Sequence, residues 1–170
     1  MTIGIISDTH DHLENIEKVL SWFKEHNIDT ILHCGDVCAP SVLIKGLVEN
    51  FTGTIHHVFG NVDGDRFLML KLLEESGRKN VFLHGEFADF EIGKIKVAMT
   101  HYPQIAENLA KSKKYDLVCY GHNHKQALQS IGNTTLVNPG SLGGLFAPAT
   151  FATYDTAAEK VSLYRVKDIS

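Results

Sequence analysis

Cysteine is scarce in this 170-residue chain: only Cys34, Cys38 and Cys119 occur. Their number and spacing fit neither a disulfide framework nor a four-cysteine zinc site, so all three are expected to be packing residues in a reducing compartment. Long apolar runs are missing too, and nothing approaches the roughly 20 residues that span a bilayer. The first residues, "MTIGIISDTH", carry no basic stretch ahead of an apolar core of signal length, which makes a cytoplasmic protein the expectation. Basic charge is thin: 16 Lys and Arg against 20 Asp and Glu give a net charge of −4, and the longest basic run is "KSKK" at 111–114. Long nucleic acid is therefore not expected as a partner. With no linker, repeat or low-complexity segment, and a length suited to one hydrophobic core, the expectation is a single domain over 1–170. Against these scarcities the ten histidines stand out.

The apolar run "TIGII" has strand length and breaks at the polar "SDTHD". Leu13, Ile16, Val19, Leu20 and Phe23 then recur at helical spacing, which predicts an amphipathic helix over residues 13–26. The unit repeats twice. Strand "TILHC" and loop "GDVCAP" lead to a helix over 41–50, and strand "TIHHVF" and loop "GNVDG" lead to a helix over about 65–76 with Phe67, Leu68, Leu70, Leu72 and Leu73 as its apolar positions. Strands and helices alternating in this way imply βαβ units with parallel strands. After Gly77 short strands follow, with one helix near 104–112, and the turns "IGK" and "IGNT" favour antiparallel hairpins. The fold class expected is α/β, a layered sandwich of two mixed β-sheets flanked by helices.

Each core strand in this scheme ends in a side chain able to ligate a metal: Asp8 and His10, Asp36, Asn61, His101, then His122 with His124 in "YGHNHK". Ligand sites in α/β sheets gather at the carboxyl ends of strands, so these seven residues are expected on one rim. Carboxylates, an amide oxygen and imidazoles suit first-row divalent ions. Asp36, alone at its strand end, is the natural bridge between two ions. Gly35, Gly60 and Gly121 stand directly before Asp36, Asn61 and His122, where a strand must turn sharply or let its backbone come close to a ligand.

The ordered series "SDTH", "GD", "GN", "H" and "GHNH" resembles the calcineurin-like metallophosphoesterase superfamily, and the short chain resembles its small YfcE-like phosphodiesterase branch. The motifs cover residues 6–124, with "NPGS" at 138–141 as a further family-like element. The resemblance implies that Asp8, His10 and His124 hold one metal, that Asn61, His101 and His122 hold a second, and that Asp36 bridges them. His122 and His124 would thus serve different ions, their side chains displaced along an extended turn. The implied cofactors are two divalent ions, manganese first, with nickel, iron, cobalt and zinc compatible. Where protein phosphatases of the superfamily carry a histidine after the asparagine, this chain has Val62, which donates no proton. Asp36 and Asn61 are expected to serve catalysis as well as binding, with Asp63 assisting them from behind.

The function so implied is hydrolysis of a small-molecule phosphodiester by in-line attack of a metal-bridging hydroxide, without a covalent intermediate. The alternatives are a non-catalytic protein-interaction scaffold of the same fold, as in the retromer subunit that resembles it, and a metal-dependent phosphomonoesterase or nuclease. Capping of a helix is the plainer role for Asp8, a tight turn the plainer role for "NPGSLGG", and solvent exposure an equal alternative to phosphate contact for Arg66. His12, His26, His33, His56, His57 and His84 lack motif partners and are expected to be structural. No membrane partner is expected, and the apolar carboxyl-terminal strands offer an edge through which copies of the chain could form a homo-oligomer.

Overall fold

The computed structural model describes residues 1–169. The strand and helix alternation of the first half forms as a parallel run of β1 (Thr2–Ile6), β2 (Thr30–His33), β3 (Thr54–His57) and β4 (Val81–Leu83). Between them lie α1 (Leu13–Glu25), α2 (Pro40–Val42) leading into a π-helical turn (Leu43–Val48), and α3 (Arg66–Ser76). The second half supplies β5 (Phe87–Ile92), β6 (Ile95–Thr100), α4 (Pro103–Lys111), β7 (Leu117–Cys119), β8 (Gln126–Ile131), β9 (Thr134–Pro139), β10 (Thr150–Asp155) and β11 (Lys160–Arg165).

These strands form a six-stranded sheet in the order β11-β10-β1-β2-β3-β4 and a five-stranded sheet in the order β5-β6-β7-β9-β8. Both are mixed. β10 and β11 join the first sheet antiparallel, whereas β6, β7 and β9 run parallel inside the second, between the hairpin partners β5 and β8. The expected layered sandwich of two mixed sheets flanked by helices is the observed architecture.

Alternation along the strands builds the layers. Ile3, Ile5, Leu32, Val97, Met99, Leu117, Val137 and Tyr154 meet between the sheets. Ile6 and Ile31 face the other way, onto Ile16, Val19, Phe23, Leu43 and Leu47 of the helical layer. On the far side Ala98, Val118 and Leu136 pack on Ala106 and Ala110 of α4. Successive side chains point to opposite faces of a strand, so neighbours such as Ile31 and Leu32 serve different cores.

Two helices depart from expectation. The one placed at 41–50 starts at Pro40, whose fixed φ suits a first helical position, and then widens into the π-helical turn. There Leu43, Ile44, Leu47 and Val48 repeat at intervals of four and all bury. In α3 only Met69 is fully buried, while Phe67 is 78% and Leu70 49% exposed, so the apolar positions of this helix are not one core face.

Candidate metal centre

Strands β1, β2, β3, β6 and β7 deliver their following residues to a common rim, and backbone hydrogen bonds tie those loops together. Asp8 N–H donates to Gly35 O at 2.9 Å, His10 N–H to Asp36 O at 3.1 Å and Gly121 N–H to His101 O at 3.1 Å. Glycine is required where the loops touch: a Cβ on Gly60 would overlap Asp36 Oδ1, and one on Gly121 would overlap Ser7 Oγ and Asp8 Oδ2.

Asp8, His10, Asp36, His122 and His124 all adopt left-handed backbone conformations, with φ of 51°, 41°, 67°, 77° and 57°. For non-glycine residues this conformation costs roughly 1 kcal/mol or more apiece, and such strain collects where function needs it. The geometry also replaces the extended turn expected for "GHNH": backbone reversals, rather than strand pleating, direct His122 and His124 to different neighbours.

One cluster comprises Asp8, His10, Asp36 and His124, whose donor atoms all lie within 4.8 Å of one another. His124 Nε2 is 3.1 Å from His10 Nε2 and 3.2 Å from Asp8 Oδ1. The second comprises His101, His122, Asn61 and again Asp36. His101 Nε2 lies 3.3 Å from Asp36 Oδ2, 3.1 Å from Asn61 Oδ1 and 3.3 Å from His122 Nδ1, and that Nδ1 is 2.8 Å from Asn61 Oδ1. The structure thus brings together all seven residues singled out in the sequence, with Asp36 common to both groups.

The donor chemistry of each group fits a cation. His124 Nδ1–H donates to Leu145 O at 3.1 Å and His101 Nδ1–H to Cys34 O at 2.7 Å, which turns the Nε2 of each ring into its cluster as the atom available to a cation. Those nitrogens face the Asp8 and Asp36 carboxylates and the Asn61 amide oxygen. Asp8 Oδ1, fully buried, has no hydrogen-bond partner among the described residues. A buried carboxylate oxygen without a donor, set beside imidazole nitrogens, is the arrangement that a positive ion completes. Burial pushes the Asp8 carboxyl above its usual range. Burial acts the same way on Asp36, yet His101 beside it and the Val62 N–H, 3.0 Å from Oδ1, hold it below that range.

Asp63, expected among the catalytic residues, is turned inward. Its carboxylate accepts from Asp36 N–H at 2.7 Å, Val37 N–H at 3.0 Å, Gly60 N–H, and His57 Nε2 at 3.2 Å. Burial opposes its ionisation, but His57 and these N–H groups hold it well below the usual carboxylate range. It locks the Asp36 loop to the Asn61 turn. His33 does similar work: Nδ1 accepts from Gly35 N–H at 3.1 Å, so Nε2 carries the proton offered to Thr9 Oγ1 at 3.3 Å.

Three other expectations change. Arg66 does not face the clusters; its guanidinium binds Gly60 O at 2.7 Å and Glu86 at 2.9 Å and lies over the Phe59 ring. Cys38 is no core residue, being half-buried with Sγ 3.7 Å from His10 Nδ1. The "NPGS" loop is more than a turn, because Ser141 Oγ donates to Asp8 O at 2.9 Å and Asn138 Nδ2 to Gly121 O at 2.9 Å, buttressing both histidine-bearing loops. Two aromatic rings that carry no motif signal also lie at the rim: Tyr102, whose ring centroid is 5.6 Å from that of His122, and Phe146, 6.4 Å from His124.

Residues 1–159 match the calcineurin-like phosphoesterase superfamily domain. The chain is 36% identical over 146 residues to the phosphodiesterase MJ0936 of Methanocaldococcus jannaschii, covering 85% of this chain and 86% of that protein. A solved structure described as a novel archaeal phosphodiesterase superposes with a TM-score of 0.89 at 32% identity, covering 97% of this chain and 99% of the other. Zinc-complexed Vps29 of Entamoeba histolytica shares the fold alone, with a TM-score of 0.72 at 18% identity over 100% of this chain and 95% of its own.

Proposed function

The chain belongs to the calcineurin-like phosphoesterase superfamily, and from that premise we propose that it hydrolyses small phosphodiesters at a centre of two divalent metal ions. The observation that carries the reading is the pair of carboxylate, imidazole and amide clusters sharing Asp36, with the buried Asp8 Oδ1 lacking a hydrogen-bond partner among the described residues. Asp8, His10 and His124 would hold one ion and Asn61, His101 and His122 the other, with Asp36 between them. The mixed oxygen and imidazole donors, without thiolate, favour manganese and tolerate nickel, iron, cobalt or zinc.

Ions bound there would polarise the phosphoryl oxygens and bring the pKa of water toward neutrality. The chain's own contribution is placement. Asp63 and His33 fix the Asp36 loop from behind, and the carbonyls of Cys34 and Leu145 set the ring orientation of His101 and His124. No side-chain nucleophile competes with water: Ser7 is fully buried, and Cys38 lies on the Nδ1 side of His10, away from the donor atoms. Hydrolysis is therefore direct, with no covalent intermediate on the protein.

Val62 favours a diester substrate. It is 40% exposed at the rim directly after Asn61 and offers only apolar surface where a proton donor for a leaving group would otherwise stand. Metal-stripped protein assayed with bis(p-nitrophenyl) phosphate and p-nitrophenyl phosphate, with and without added Mn2+, tests the reading. Metal-dependent cleavage that prefers the diester is expected; binding of metal with cleavage of neither ester would overturn it.

A further inference from the structure

Phe146 is 99% exposed and holds a left-handed backbone conformation, φ 62°. That combination is costly twice over: a bulky side chain rarely takes positive φ, and a fully solvated phenyl ring gains nothing from folding. Its loop is nevertheless pinned to the metal centre. Ser141 Oγ and Gly143 N–H both donate to Asp8 O at 2.9 Å, and Leu145 O accepts from His124 Nδ1 at 3.1 Å. The Phe146 ring stands 6.4 Å, centroid to centroid, from the His124 imidazole with the two planes 23° apart. Its surroundings are mixed in character. Leu145 is 45% exposed, and a cavity of about 210 Å3 opens alongside among His124, Lys125, Ala147 and Arg165.

We propose that Phe146 is a stacking platform for the base of a nucleoside arm of the diester, a deepening that rests on the phosphodiesterase reading above. A flat ring presented beside the reacting centre on a pinned loop binds another flat ring without selecting its hydrogen-bonding edge, as aromatic platforms for single nucleotides do. The cavity beside it gives the sugar of that arm hydrogen-bonding neighbours in Lys125 and Arg165. The small size of this platform and the net charge of −4 favour a nucleoside diester of low mass over a polymer.

The test compares thymidine 5′-monophosphate with deoxyribose 5-phosphate, which carries a hydroxyl at C1 in place of the base. Each is titrated as an inhibitor of bis(p-nitrophenyl) phosphate hydrolysis by the Mn2+-supplemented full chain, in wild type, F146A and F146W. Full exposure of the ring makes truncation harmless to folding. The nucleotide should inhibit wild type and F146W about 10-fold better than the sugar phosphate, and F146A should lose that preference. In F146W the indole fluorescence should be quenched by the nucleotide and not by the sugar phosphate, a readout independent of turnover. A base preference surviving in F146A, or no base-dependent quench, overturns the platform. Absence of any diester hydrolysis by wild type alongside a base-dependent quench would instead overturn the enzymatic reading and leave the platform standing.

Discussion

Replacing Asp63 by Asn removes a charge from the interior while keeping the shape. The carboxylate accepts four donors: Asp36 N–H and Gly60 N–H on Oδ2, Val37 N–H and His57 Nε2 on Oδ1. An amide has one oxygen, so two of these bonds survive, and its NH2 group meets N–H donors on the other side. Hydrogen bonds to a charged group contribute about 1.5–3 kcal/mol each, so losing two removes about 3–6 kcal/mol, in the range seen when one partner of a buried pair is deleted. With a urea m-value of roughly 2 kcal/mol/M, the unfolding midpoint should fall by about 1.5–3 M. The pH profile supplies a second readout. Because the folded carboxyl lies well below its usual value of 3.8, its stabilisation is fully present above that value and is lost as pH falls below it. Asp63→Asn should therefore lose this acid-sensitive component. A drop below about 1 kcal/mol with the acid slope intact would refute the assignment of Asp63 as the lock between the Asp36 and Asn61 loops.

Asp36→Asn should lower diester turnover by about two to three orders of magnitude while urea unfolding stays cooperative, checked by steady-state kinetics and circular dichroism. Gly121→Ala forces a Cβ onto Ser7 Oγ and Asp8 Oδ2, so bound metal, measured by elemental analysis, and Tm should fall together. His56 pairs with His84 at 2.9 Å and stacks on Phe90, and burial together with His84 pulls its pKa from 6.5 to about 4. The unfolded chain is then the stronger proton binder, so stability is full above about 6.5 and declines as pH falls toward 4. His56→Phe should flatten that decline in urea titrations between those pH values; an unchanged slope would contradict it.

The sequence made the rim legible because each polar donor follows an apolar run of strand length, and strand ends share a direction in parallel sheets. The glycine turns at "IGK" and "IGNT" likewise form the β5–β6 and β8–β9 hairpins. What stayed hidden depends on contacts remote in sequence. The left-handed backbone of five of the seven rim residues is imposed by loop-to-loop hydrogen bonds such as His10 to Asp36, which no local pattern encodes. The inward turn of Asp63 follows from the N–H groups of Asp36 and Val37, 27 and 26 residues away. Helix α3 shows the limit of periodicity: its leucines and Phe67 look like a core face, yet only Met69 is fully covered. Phe146 gave no signal at all, since a phenylalanine in a glycine-rich turn reads as ordinary packing until its exposure is seen.

The most direct test of a shared two-ion centre is anomalous diffraction from crystals of the chain grown with Mn2+. Two peaks about 3.5–4 Å apart are expected, one within reach of Asp8, His10 and His124 and the other of Asn61, His101 and His122, with the Asp36 carboxylate between them. A single peak, or two that do not share Asp36, would contradict it.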